Sequence, residues 1–149
     1  MRRTIARVAV GAAASLAAIA SAAVFATGPA SAASVAGNCA NGSYQGWGVA
    51  YYSFSGGYTY WDYFALEQLN AGNQTTAFVR IRHDINNDTD TIVWGPSQVH
   101  DLAHDTPKNH DPAGTRRTAN SYVTYTTFQF RFDRNNATDP ECTARTPSV

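Results

Sequence analysis

The chain holds four histidines, and each is followed by aspartate: His83-Asp84, His100-Asp101, His104-Asp105 and His110-Asp111. The last three pairs fall within one stretch, VHDLAHDTPKNHD, Val99 to Asp111. Imidazole and carboxylate groups ligate zinc or copper and also shuttle protons. His100 and His104 stand four apart, so a helix would turn both rings one way and His110 would supply a third ligand. As acid–base groups they would need a nucleophile or bound substrate, and no GxSxG or comparable motif accompanies them.

HDLAH, with a further histidine six residues on, superficially resembles the HExxHxxGxxH signature of metzincin-type proteases. It departs from it in chemistry as well as in letters. Asp101 stands where the catalytic glutamate belongs and is one methylene too short to reach the metal-bound water. The turning glycine is missing, Pro107 and Lys108 occupy that connection, and no long active-site helix is present. The segment is rich in Asp, Asn, Thr, Pro and Lys, which describes a solvated connection. Neighbouring side chains on a strand point to opposite faces, so each aspartate is not expected to orient the histidine before it. Asp84, Asp88 and Asp90 lack the spacing and closing glutamate of a calcium loop, and read as a turn capped by Asx side chains. The expectation is a polar loop with no metal, cofactor or catalytic set.

The aromatic residues make the stronger signal. Ten lie in the twenty-one residues from Tyr44 to Phe64. Many must be core, because residues 33–149 hold seventeen aromatics against thirteen Val, Ile and Leu. A strand in a two-layer fold gives the core only one face. Simple alternation over Tyr58–Leu66 groups Tyr58, Tyr60, Phe64 and Leu66 on one face and Trp61 and Tyr63 on the other. Rings on both faces imply that the outer one meets a loop, another chain or a ligand. Tyr58, Tyr60, Trp61 and Tyr63 are therefore the candidate binding residues.

The elements that must position these residues are strands. Gly48–Ser55 and Tyr58–Leu66 flank Gly56-Gly57, a hairpin turn. Thr76–His83 sets Ala77, Val79 and Ile81 against Phe78, Arg80 and Arg82. Thr91–Trp94 is a short strand ended by Gly95-Pro96. In Ser121–Asp133, Tyr122, Thr124, Thr126, Phe128, Phe130 and Phe132 share a face. Only Ser97–His104 has a helical look, grouping Val99, Leu102 and Ala103. These runs predict an all-β, compact antiparallel β-sandwich of about six to eight strands.

Residues 1–32 read as a secretory signal peptide: basic MRRTIAR, an alanine-rich apolar run, then Ala30-Ser31-Ala32 as the cleavage site. The leader looks like those of high-GC actinobacteria. A single domain, 33–149, would follow. It carries eight basic and eleven acidic residues, net −3, with Lys108 its only lysine. That charge argues against nucleic acid and anionic membrane as partners. Cys39 and Cys142, in an oxidising compartment, are expected to form one disulfide closing a 103-residue loop.

A small stapled sandwich with an aromatic face and no catalytic set fits a secreted protein-interaction module. In its leader, its terminal cysteine pair and its aromatic β-domain, the chain resembles the small secreted adaptor subunits of actinobacterial umbrella-type toxin particles. That resemblance implies an extracellular adaptor that joins a lectin-like subunit to a large repeat-bearing toxin chain; ASVAGN, before Cys39, would serve as a flexible docking tail. The alternative is a carbohydrate-binding domain that stacks Tyr60, Trp61 or Tyr63 on sugar faces, with Asp62 bonding hydroxyls. An enzyme or inhibitor is the third class. The single cysteine pair departs from the two-disulfide build of subtilisin inhibitors.

Overall fold

A computed structural model describes residues 33–72, 74–86, 88–134 and 137–149. The leader expected over 1–32 lies outside the described residues. Nine strands follow in order: β1 (Ala33–Asn41), β2 (Tyr44–Ser55), β3 (Tyr58–Leu69), β4 (Thr75–His83), β5 (Ile92–Leu102), β6 (Lys108–His110), β7 (Arg117–Ala119), β8 (Thr124–Arg131) and β9 (Glu141–Arg145). They form two antiparallel sheets, β1-β2-β3-β6 with β7 also on β3, and β5-β4-β8-β9. The sheets pack face to face around a shared core, as the alternation predicts, and Cys39–Cys142 links β1 to β9 across the layers.

The core is built of rings. Trp61, Phe64, Phe128, Phe130 and Phe132 are all fully buried, filled in by Ala50, Leu66, Val79, Ile81 and Leu102. On β2 the inward positions opposite these rings are glycines. A Cβ on Gly46 would stand 2.3 Å from Phe130, and one on Gly48 would stand 2.4 Å from Phe128. The phenyl rings lie directly on the β2 backbone, so Trp47, between those glycines, faces outward. The β2–β3 turn is the expected one, with Gly56 and Gly57 both at positive φ.

Two strands depart from simple alternation. β5 does not end at Gly95-Pro96. Trp94 pairs with Ile81 and Ser97 with Val79, so the dipeptide is an irregularity inside a continuous strand. Gly95 has φ 95°, and a Cβ there would meet Val79 O at 2.4 Å. Pro96 is tolerated because β5 is an edge. The helical look of Ser97–His104 is likewise a strand with a bulge. Asp101 adopts φ 56°, and the extra residue lets Val99 and Leu102, three apart, both face the core. The polar loop expected over Val99–Asp111 is thus partly strand, the end of β5 and all of β6.

The second bulge lies in β3. Tyr51 pairs with Tyr63 and Tyr52 with Trp61, leaving Asp62 as the extra residue. Alternation resets there, so Trp61 and Phe64 point the same way, into the core. This corrects the grouping of Trp61 with Tyr63. The arm before Cys39 is corrected as well: it is strand β1, paired with β2 along its whole length.

Candidate functional site

The buried Arg116 sets the β3 bulge. Its guanidinium uses all five N–H bonds, donating to the carbonyls of Trp61 (2.9 Å), Asp62, Pro112 and Gly114 (3.1 Å) and to Asp111 Oδ1 (2.9 Å). Trp61 N in turn donates to Arg116 O at 2.9 Å. Two of the accepting carbonyls belong to the bulge itself, so this one side chain decides which β3 rings face in and which face out. Trp61, 1% exposed, packs beside Tyr52, and its indole N–H donates to Thr118 Oγ1 at 3.3 Å.

The four candidate binding residues are therefore not brought together. Trp61 is core. Tyr63 stacks on Tyr51, centroids 4.2 Å apart, so each ring covers one face of the other. Asp62 Oδ1 accepts from Ser53 Oγ at 3.3 Å beside them. Tyr58 and Tyr60 meet edge to face, and Arg117 lies over Tyr58 at 4.6 Å. These last two stand on β3 beside the β2–β3 hairpin, at one end of the sandwich.

That end carries most of the large hydrophobic residues that are exposed among the described residues. Seven large hydrophobic residues are exposed, and six of them lie there: Phe54 (58%), Tyr122 (56%), Val123 (53%), Ile92, Ile85 and Val93. They come from the β2–β3 hairpin, the β4–β5 connection and the run into β8. Backbone bonds draw these segments together, Asn120 N to Gly57 O and Asp84 N to Val123 O, both 2.9 Å. His83 stacks on Tyr122 with centroids 4.5 Å apart.

A polar frame holds this end in place. Arg145 bridges to Asp84 at 2.7 Å and lies 3.8 Å above the Tyr125 ring. The Tyr125 hydroxyl donates to Asp90, which also accepts from Ile85 N at 3.0 Å. The tyrosine bond, then the Ile85 amide, hold the Asp90 carboxyl below the usual carboxylate range. Burial and the neighbouring carboxylate push the Tyr125 phenol up. Asp88 Oδ1 also accepts from the next amide, Thr89 N, at 2.6 Å, so aspartate side chains hold the turn that the sequence suggests. These bonds tie the β4–β5 connection, β8 and β9 to one another at this end.

Each histidine–aspartate pair resolves into a separate structural task. Asp84 serves Arg145 and accepts from Ser148 at 2.8 Å. Asp101 makes the β5 bulge. Asp105, at φ 50°, folds back so that His104 Nδ1 lies 2.8 Å from its Oδ2. This pair contradicts the expectation that no aspartate meets its own histidine, because left-handed backbone breaks the strand alternation behind that expectation. Asp111 serves Arg116, and His110 is half-buried, its Nε2 2.8 Å from Ser97 Oγ. Among the described residues no three His, Cys, Asp or Glu side chains converge as a metal site would require.

Sequence reasoning passed over the apolar end because its members are scattered from Phe54 to Val123 and no strand pattern links them. The one available signal was apolar residues in turn-rich segments, Ile85 in INNDTD and Val123 after NSY. Compared with known protein families, curated proteins and solved structures, the chain matches none of them.

Proposed function

We propose that this is a secreted, non-enzymatic protein-interaction module whose working surface is the apolar end of the sandwich. One observation carries the reading: among the described residues, six of the seven exposed large hydrophobics belong to the segments at that end. Apolar surface gathered in one place and framed by polar groups is the mark of a protein partner site. The Asp90–Tyr125–Arg145 frame supports it, since it ties the segments at that end to one another. The signal-like leader and the disulfide are consistent with export. An adaptor in an extracellular toxin assembly of an actinobacterium is the specific form of this proposal, with other secreted proteins as partners. The glycan alternative has less to work with: Trp61 is buried and Tyr63 is half-covered by Tyr51.

The test is affinity purification of the tagged chain from the culture supernatant of its producing organism, alongside a Tyr122→Ser/Val123→Ser variant. A secreted protein recovered at fixed stoichiometry with the unaltered chain and lost from the variant supports the proposal. Equal recovery with both, or glycan-array binding by a chain that purifies alone, overturns it.

A further inference from the structure

The two sheets present four edges, and three carry devices that discourage another strand from pairing. β6 and β7 are three residues each and include Lys108 and Arg117. β5 contains Gly95-Pro96 and three register breaks. β9 is five residues long and bears Glu141 and Arg145, both ion-paired. Short length, charge, proline and bulges are the usual protections of a sheet edge.

β1 has none of them. Its nine residues, ASVAGNCAN, contain no charge and no proline, and all nine pair with β2 in unbroken register. Among the described residues, β1 makes no backbone hydrogen bond beyond that ladder. Its outward side chains are small: Ser34, Ala36, Asn38 and Ala40. Behind them a shallow groove of about 640 Å³ is lined by Asn38, Ala40, Gln45, Trp47, Glu67 and Leu69. Asn38, Trp47 and Glu67 stand in one row across β1, β2 and β3. Trp47 is the one exposed large hydrophobic outside the apolar end, and Glu67 has no ion-pair partner among the described residues.

We propose that β1 is a docking edge that accepts an extended segment of a partner polypeptide as an added strand, with a basic side chain of that segment laid over Trp47 toward Glu67. Strand addition supplies affinity through the backbone and specificity through alternate side chains. A strand beside β1 lies about 10 Å from β2, so a long side chain leaning over Asn38 reaches the indole. A guanidinium or ammonium there gains the ring's attraction and the field of an unneutralised carboxylate. This proposal rests on the protein-interaction reading and deepens it: a second surface, distinct from the apolar end, is what a chain joining two partners needs.

The probe is a nine-residue, end-capped Thr/Ser peptide with one central arginine, added at millimolar concentration to isotope-labelled residues 33–149. The expected result is slowed amide exchange along Ala33–Asn41 with β5 and β9 unchanged, and a shift of the Trp47 indole resonance. The same peptide with glutamate for arginine should bind about tenfold more weakly, and Glu67→Gln should shrink that difference. Tyr122→Ser/Val123→Ser should leave peptide binding intact, so failure of the apolar end and failure of the edge read out separately. An unprotected β1, equal binding of both peptides, or self-association through β1 that the peptide does not compete overturns the proposal.

Discussion

Arg116 commits five hydrogen bonds to two short stretches of backbone, 61–62 and 112–114, and one carboxylate, and little of it is exposed. Removing it leaves the buried Trp61 carbonyl and three partly buried ones without their donor, at about 1–3 kcal/mol for a fully buried group and less for the others. Arg116→Ala should therefore destabilise the domain by about 3 kcal/mol or more in urea unfolding. Arg116→Lys should recover only part of this, since an ammonium cannot match the planar fork. His110 gives a pH signature. Burial first, then the charge of Arg116, holds its imidazole below the ordinary value of 6.5. Below that pH the unfolded chain takes up a proton that the folded chain resists, so stability falls as pH drops through 6.5, and the loss levels off below the folded pKa. His110→Gln should flatten that limb of a stability–pH curve. Asp90 and Glu141, held low chiefly by Tyr125 and Arg131, hold their stabilisation above the ordinary carboxylate range; it is lost at lower pH, as each folded carboxyl takes its proton.

Elements show where the sequence was legible. β4, and β8 from Thr124 onward, followed their alternation, with Ala77 and Val79 beside Phe130 and Phe128 on the inner face of one sheet; Tyr122, expected on that same face, instead precedes β8 and is exposed. β3 and β5 did not, for a common reason. Each contains a bulge that turns an i, i+3 pair to one face, Trp61 with Phe64 and Val99 with Leu102. That spacing gave Ser97–His104 its helical look, while strict alternation carried across the β3 bulge misplaced Trp61 in the binding face. The cause of the β3 bulge, Arg116, lies more than fifty residues away, beyond any local pattern. Asp101 is a cleaner case, because its cost is local. At φ 56° a glycine relaxes the backbone and a β-branched residue strains it. Asp101→Gly should hold or gain stability, whereas Asp101→Val should lose about 1–2 kcal/mol, measured by thermal unfolding.

The whole molecule reads as a body with two unlike ends to its chemistry: apolar loops at one end, and an unguarded strand with an acidic groove along one side. The pairing of Cys39 with Cys142 was legible from compartment logic, but the edge it decorates was not, since register is invisible in a lone cysteine. Reduction should cost roughly 4–5 kcal/mol by loop entropy, read as a lowered urea midpoint. The bridge also has a mechanical consequence. It joins β1 to β9 near both ends of the domain, so tension applied between residues 33 and 149 passes through a covalent bond and bypasses the sheets. Stretched between those points, the oxidised chain can pay out only the thirteen residues outside the bridge, about 45 Å of contour. The reduced chain can release all 117, roughly 400 Å. Single-molecule extension with and without reductant measures that ratio. A strand seated on β1 would pull on a body that does not unravel under load.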